Sequence, residues 1–397
     1  MFNQAPFKIA FKVMDKLHQN GFEAYIVGGA VRDYLLQRPV HDVDITTSAR
    51  PDQVQALFPK TIPVGIEHGT VIVREENTNF EVTTFRSESG YSDYRHPEQV
   101  HFETSITEDL KRRDFTMNAI ALSIDEEIID PYNGQIDLKE NRLMTVGDPK
   151  IRFKEDPLRM LRGLRFISQL GLEMPKELEN TCQSLGHLLK NISIERIYQE
   201  FTKLLSGEDL QKAFHILLSS HIYEYLPYLE NKSIECQQFS HLPLKLLNCD
   251  EERWCTLIIQ LKVKDITAFC NAWKMSKRKK NWLIRHTGIY ERQKNLKWTK
   301  ESLYLSGLSA ALSVERLKKV FQKSSEQTDD DIKALWKSCP IHNRKDLHVN
   351  GNDLSTWLNR KPGPWIDKLL TEIEKEVLYE RLLNDHEEIR NWVMSFV

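Results

Sequence analysis

The chain has 397 residues, 40% of them hydrophobic and 28% charged, and a net charge of −2. That length allows two to four domains with a sizeable core, and the near-neutral balance excludes a global field for nucleic acid, so any basic surface must be local. Six cysteines (Cys182, Cys236, Cys249, Cys255, Cys270, Cys339) form no CxxC pair and no apolar run approaches 18 residues, so the expectation is a soluble, cytoplasmic protein without a zinc site or disulfide framework.

In chain order, MFNQAPFKIAFKVMDKLHQNG (1–21) sets lysines among apolar residues and predicts an amphipathic helix rather than a signal peptide. EAYIV (23–27) predicts a strand, AVRDYLLQ (30–37) a helix, DVDIT (42–46) a strand, and PDQVQALF (51–58) a short helix opened by Pro51. GTVIVRE (69–75) and NFEVTTFR (79–86) read as consecutive strands around a Glu76-Asn77-Thr78 turn. RSESGYSDYRHPEQVHF (86–102) is polar and glycine-broken, a lid or an ordinary surface loop. ITEDLKRRDFTMNAIAL (106–122) has helical periodicity, with Thr107 as N-cap. From about 149 onward strand signals fade. DPLRMLRGLRFISQLG (156–171), MPKELENTCQSLGHLL (174–189) and SIERIYQEFTKLLS (193–206) carry apolar residues at helical spacing, and all eight tryptophans lie at or beyond Trp254. An α/β domain followed by helical modules is the expected organisation.

The chemistry starts in VGGAVRDYLLQRPVHDVDIT (27–46). Strand side chains alternate, so Asp42 and Asp44 share a side while Val43 and Ile45 face a core. Two carboxylates that close repel unless a cation sits between them, and Mg²⁺ takes one or two carboxylates plus substrate phosphates. Gly28 and Gly29 let backbone amides approach a phosphate, which together suggests nucleotidyl transfer with two metal ions. A solvated strand edge is the alternative. His41-Asp42 also admits a metal phosphohydrolase, but His68, His96 and His101 lack ligand-like spacing. Glu81 is either a third carboxylate or a solvated strand residue. In KRRDFTMNA (111–119), Asp114 and Asn118 share a helix face and suit a ribose, while Arg112 and Arg113 suit phosphate or a plain ion pair. Asp156 beside Arg159 pairs an acceptor with a donor, complementary to cytosine and adenine and opposed to uracil and guanine. Equally, Pro157 makes Asp156 an N-cap, with Arg159, Arg162 and Arg165 a basic face. Ten basic residues between Lys274 and Lys300, Lys277, Arg278, Lys279, Lys280 and Arg285 among them, face only Glu291 and give a phosphate footprint for RNA. The interleaved Trp273, Trp282 and Trp298 read as core residues rather than stacking platforms.

In this order GGAVRDYLLQRPVHDVDI, RRDFTMNA, DPYNG (130–134), EDPLRMLRGLRF and SIERIYQE (193–200) resemble the class II tRNA nucleotidyltransferases, the bacterial CCA-adding enzymes, with bacterial poly(A) polymerase as close relative. The resemblance covers about 180 residues and implies an α+β fold: a polymerase-β-type head, a mixed sheet with flanking helices, then an all-α neck, body and tail. We place these at 1–148 (catalytic head), 149–208 (neck, base recognition), 209–300 (body, RNA binding) and 301–397 (tail, tRNA binding). It implies two Mg²⁺ on Asp42 and Asp44, ribose and triphosphate contacts at Arg113 and Asp114, and base selection by Glu155, Asp156 and Arg159, with Arg162 orienting them or the triphosphate. Gly29, Arg32 and Asn118 are further candidate nucleotide contacts. In the family a loop at 86–102 supports the switch from C to A addition and is shortened in enzymes adding only CC. Here it is intact, so complete CCA addition to tRNA from CTP and ATP is expected. Poly(A) polymerase, or a non-catalytic RNA-binding protein with a degenerate head, are the alternatives.

Overall fold

The computed structural model describes residues 5–40, 42–90, 99–323 and 327–396. The chain forms two compact units, residues 1–241 with 272–274 and residues 242–271 with 275–397. In the first, nine strands are described: β1 (Ala24–Val27), β2 (Asp44–Thr47), β3 (Thr61–Pro63), β4 (Thr70–Glu75), β5 (Thr78–Thr84), β6 (Arg86–Ser89), β7 (Gln99–Phe102), β8 (Ala121–Leu122) and β9 (Ile128–Ile129). Seven build a mixed sheet in the order β3-β4-β5-β2-β1-β8-β9, while β6 and β7 pair as a separate ribbon. Only β2 and β5 pair in parallel; the other neighbours are antiparallel.

Its helices are α1 (Ala5–Gln19), α2 (Gly29–Leu35), α3 (Pro51–Leu57), α4 (Ile106–Lys111), α5 (Gly134–Lys139), α6 (Pro149–Glu155), α7 (Leu158–Leu170), α8 (Lys176–Leu185), α9 (Ile194–Leu205), α10 (Leu210–Ser219) and α11 (Ser233–Ser240). Phe7, Ala10, Val13, Met14 and Leu17 recur at helical spacing on α1 and are all fully buried, so one stripe of this helix packs against β1 and β2. Glu76 and Asn77 both take positive φ, closing β4 and β5 as the two-residue turn whose twist suits a hairpin. Asp148 caps α6 ahead of Pro149, and Gly171, at φ +73°, ends α7 in the left-handed conformation. α7 packs between α9 and α10, where the Ser168 hydroxyl donates to the Leu204 carbonyl.

Two expectations change. The segment 106–122 is not one helix: α4 stops at Lys111, a 3₁₀ turn spans Thr116–Asn118, and β8 follows. Phe115, Met117 and Ala119 to Leu122 are all fully buried, so they need core on every side rather than one apolar stripe. Backbone pairing of Thr116 with Met144, and of β8 with β1, takes the hydrogen bonds a helix would have used. The loop 86–102 has paired strand ends, which polar composition concealed. Residues 91–98, and with them His96, lie outside the described residues, as does His41.

The second unit comprises α12 (Asp250–Gln260), most of α13 (Ile266–Ala272), α14 (Lys277–Gln293), α15 (Lys300–Ser306), α16 (Leu308–Val320), α17 (Asp329–Lys337), α18 (Gly351–Trp357), α19 (Pro364–Leu378) and α20 (His386–Phe396). One of its cores gathers Ile341, Leu354, Ile373, Val377, Ile389 and Val393. Trp298 is buried, and its indole N–H donates to Glu315, itself paired with the fully buried Lys318. All six cysteines are free thiols. No helix among the described residues is long and apolar enough to cross a membrane.

Candidate active site

Register builds the acidic wall. β2 pairs Asp44 with Val27 on one side and with Glu81 of β5 on the other, so Asp44 and Glu81 stand side by side on one face. Asp42 precedes the strand, and Val43, between the two acids, and Ile45, just after them, are buried as alternation requires. All three carboxylates line an open pocket of ≈ 940 Å³. Burial first, then Glu81 and Asp42, raise the Asp44 pKa, and Arg113 only partly opposes them. Negative charge is gathered here beyond what the protein neutralises, and carboxylate oxygens are the donors a hard divalent cation takes. Among the described residues no three His, Cys, Asp or Glu side chains form a ready-made metal cluster. The pocket's histidine is His68, whose backbone carbonyl accepts from Arg86. His101 lies in β7.

Arginines line the same pocket. Gly28 sits at φ +72°, and a Cβ there would come within 2.9 Å of the Arg113 guanidinium, so only glycine allows β1 to run straight into α2 beneath that cation. Arg113 donates to the Asn118 carbonyl and to the fully buried Asp109, which also holds Arg112 at 2.9 Å. Arg32, from α2, donates to Asn118 Oδ1 at 2.7 Å and to Asp33 at 2.8 Å. Asn118 in turn donates to Asp114 at 3.0 Å, so the two residues expected on one helix face do meet, through the 3₁₀ turn. Asp114 also accepts from the Phe115 N–H at 2.8 Å and from two Arg162 nitrogens at 2.7 and 2.5 Å, which occupies its acceptor sites. Burial works against the Asp114 charge, but Arg162, Asn118 and Arg159 hold its carboxyl well below the usual range. α5 buttresses this turn: Asp130 caps its first amides, and a Cβ on Gly134 would lie 2.3 Å from the Thr116 carbonyl.

Asp156 and Arg159 also both line the pocket, each with its own partner. Asp156 accepts from Leu158 N–H at 3.1 Å, realising the capping role, and from Arg196 at 2.7 Å. Arg159 pairs with Glu155 at 2.6 Å, and Glu155, which does not line the pocket, also binds Arg152 at 2.9 Å. One turn on, Arg162 and Arg165 converge on Glu200, at 3.8 and 3.1 Å. Arg196, Glu200 and Asp109 hold positions in this network that sequence reasoning left without a role, and Arg165, read there only as part of a basic face, joins them. The available signals were the i,i+4 spacing of Arg196 and Glu200 on α9 and their place in the SIERIYQE motif.

The basic stretch forms α14 in the second unit, capped by Ser276. Lys277, Arg278 and Arg285 are exposed, and Lys279 and Lys280 half-buried. Arg285 donates to the Ser306 carbonyl and Lys280 to Asn271. Trp273 and Trp298 are core residues as expected, whereas Trp282 is half-buried and stacked on His286 at 3.5 Å.

Family models match three stretches: a poly A polymerase head domain at residues 24–144, a probable RNA and SrmB-binding site of polymerase A at 171–233, and a putative tRNA nucleotidyltransferase domain 2 at 246–393. The chain is 41% identical over 388 residues to the CCA-adding enzyme of Bacillus cytotoxicus, covering 98% of each. To that of a Geobacillus species it is 41% identical over 395 residues, covering 98% of this chain and 97% of the relative. Among solved structures, the Bacillus stearothermophilus CCA-adding enzyme in complex with CTP superposes with a TM-score of 0.93 at 37% identity, over 99% of this chain and 98% of that one. The Thermotoga maritima CCA-adding enzyme, TM-score 0.62 at 18% identity over 100% and 96% of the two chains, shares the fold.

Proposed function

Because the chain belongs to the family of CCA-adding enzymes, which are tRNA nucleotidyltransferases, we propose that it adds C, C and A, without a template, to the tRNA 3′ end from CTP and ATP. The observation that carries this reading is one pocket lined together by three carboxylates (Asp42, Asp44, Glu81), by the arginines Arg32, Arg113 and Arg162, and by Asp156 and Arg159. The 3′-hydroxyl gives up its proton to solvent and its oxygen forms a bond to the α-phosphorus while the bond from that phosphorus to the bridging oxygen breaks, and pyrophosphate leaves with the electron pair. Asp42 and Asp44, with Glu81 alongside, would hold two Mg²⁺, whose charge favours an ionised attacking hydroxyl and offsets the departing pyrophosphate.

The chain's own residues bind and orient. Gly29, Arg32 and Arg113 suit the phosphates, since guanidiniums and backbone amides approach there without a Cβ in the way. Asp114 and Asn118 suit the ribose, although a hydroxyl reaching Asp114 has to displace one of its four donors. Asp156 and Arg159 suit the base: the carboxylate accepts from the exocyclic amine of cytosine or adenine and the guanidinium donates to the adjacent ring nitrogen. Glu155 and Arg196 keep this pair apart and oriented. Uracil and guanine present acceptor and donor reversed, and each buried group left unpaired costs about 1–3 kcal/mol.

We assign tRNA binding to Lys277, Arg278, Lys279, Lys280 and Arg285. Lys277 to Lys280 fill the first turn of α14, where positive charge opposes the helix dipole, so helix stability is no reason to keep them there. We retain the division into head, neck, body and tail at 148, 208 and 300, and a cytoplasmic location, which free thiols suit. Since the matched head model carries the name of poly A polymerase, extension with ATP alone is the competing reading. Asp42→Ala tests the proposal. It should abolish incorporation into tRNA lacking its CCA end while tRNA retention on a filter stays within about twofold, because the phosphate footprint is untouched. Retained turnover removes Asp42 from the mechanism.

A further inference from the structure

Phe166, on α7, has the sequence signature of an ordinary apolar helix residue, and it is 4% exposed. Yet it lines the pocket, and three guanidiniums lie around its ring: Arg165 at 4.2 Å from the centroid, Arg32 at 5.1 Å and Arg162 at 5.9 Å. These arginines come from two elements, α2 and α7, and like charges at such range repel in a half-dry pocket. Carboxylates answer them only at their edges: Asp33 takes Arg32, Asp114 takes Arg162, and Glu200 is divided between Arg162 and Arg165. Arg165 is the least compensated. It is 8% exposed, its Nε has no hydrogen-bond partner among the described residues, and burial together with Arg162 and Arg32 pushes its pKa down to about 10, against Glu200. Phe115 meets the ring edge to face at 5.7 Å and fixes its tilt.

We propose that Phe166 is a positioning residue for polyanion binding. The negative face of its ring lets Arg32, Arg162 and Arg165 converge while their outer N–H groups stay open to phosphate. The inference rests on the nucleotidyltransferase reading of the pocket and adds to it a residue that touches no substrate. Leucine or methionine fills most of the space and supplies no quadrupole, so packing and electrostatics separate.

The test compares Phe166→Leu, Phe166→Met and Phe166→Tyr in the full chain. Each cation–π contact in a desolvated site is a several-fold effect, so Phe166→Leu and Phe166→Met should raise KM for CTP and for ATP by about tenfold. Rejection of UTP and GTP stays unchanged, because Asp156 and Arg159 are held by their own partners, Arg196 and Glu155. Phe166→Tyr keeps the π-face and should return KM to within about threefold of wild type. In an Arg165→Gln background the Phe166→Leu effect should shrink to about threefold to fivefold, since coupled residues are non-additive and Arg32 and Arg162 still flank the ring. Unchanged KM in Leu or Met, equal losses in Tyr and Leu, or full additivity with Arg165→Gln each overturns the proposal. If Leu does not fold, Met carries the same comparison. If the wild-type chain incorporates neither C nor A, the nucleotidyltransferase reading fails instead, a result these comparisons cannot mimic.

Discussion

Replacing Asp114 by asparagine keeps the shape of a saturated acceptor and removes its charge. The carboxylate is 8% exposed and takes a backbone N–H, the Asn118 amide and two Arg162 nitrogens. Breaking a buried pair costs about 3–5 kcal/mol, and each hydrogen bond to a charged group contributes about 1.5–3 kcal/mol. Arg162 keeps 34% of its side-chain surface and retains Glu200 at 3.8 Å, so water and the second carboxylate recover part of the loss. The expected destabilisation is about 2 kcal/mol. The pH dependence follows from the sign of the shift: Asp114 is held below its unfolded value, so its stabilisation is complete above that value and fades as pH falls toward the folded one. Urea unfolding followed by circular dichroism at pH 7 and pH 5 should give the same gap, narrowing only below about pH 4. A gap under about 0.5 kcal/mol, or one that changes between pH 7 and 5, refutes the reasoning.

Asp44→Asn should lower incorporation by about 10³-fold or more. In chelator it should melt above wild type because it relieves repulsion with Glu81 and Asp42; a melting point below wild type there speaks against a gathered cation site. Alanine at Lys277, Arg278 and Lys280 should weaken tRNA binding and lower its log–log salt slope by about 0.7–0.9 for each phosphate no longer neutralised, with KM for CTP unchanged. An unchanged slope places the RNA elsewhere. Exchanging acceptor and donor through Asp156→Arg with Arg159→Asp should admit UTP or GTP, whereas unchanged C and A selectivity leaves Asp156 as a cap alone.

The acidic wall was legible because the alternation of Asp42 and Asp44 with buried Val43 and Ile45 shows in the sequence, although the strand itself begins only at Asp44. That Glu81 stands beside Asp44 depends on a parallel pairing of strands 37 residues apart, which Phe80 and Val82 only hint at. The segment 106–122 misled because helical spacing and an all-round buried run look alike over a few residues, and the sheet edge decided between them. Asp156 and Arg159 could be picked out, but their actual partners, Arg196 and Glu155, answer to packing of α9 on α7 and to a local turn, respectively. Phe166 carried no sequence signal at all, since a ring amid cations is distinguishable from a core ring only once Arg32 is folded against it.

The most direct measurement offers tRNA lacking its last three nucleotides to the protein with labelled nucleotides, singly and combined. CTP alone should add two residues and stop, CTP with ATP should add three, and UTP and GTP should add none. Incorporation of A alone, continuing beyond one residue on unstructured RNA, would contradict the account.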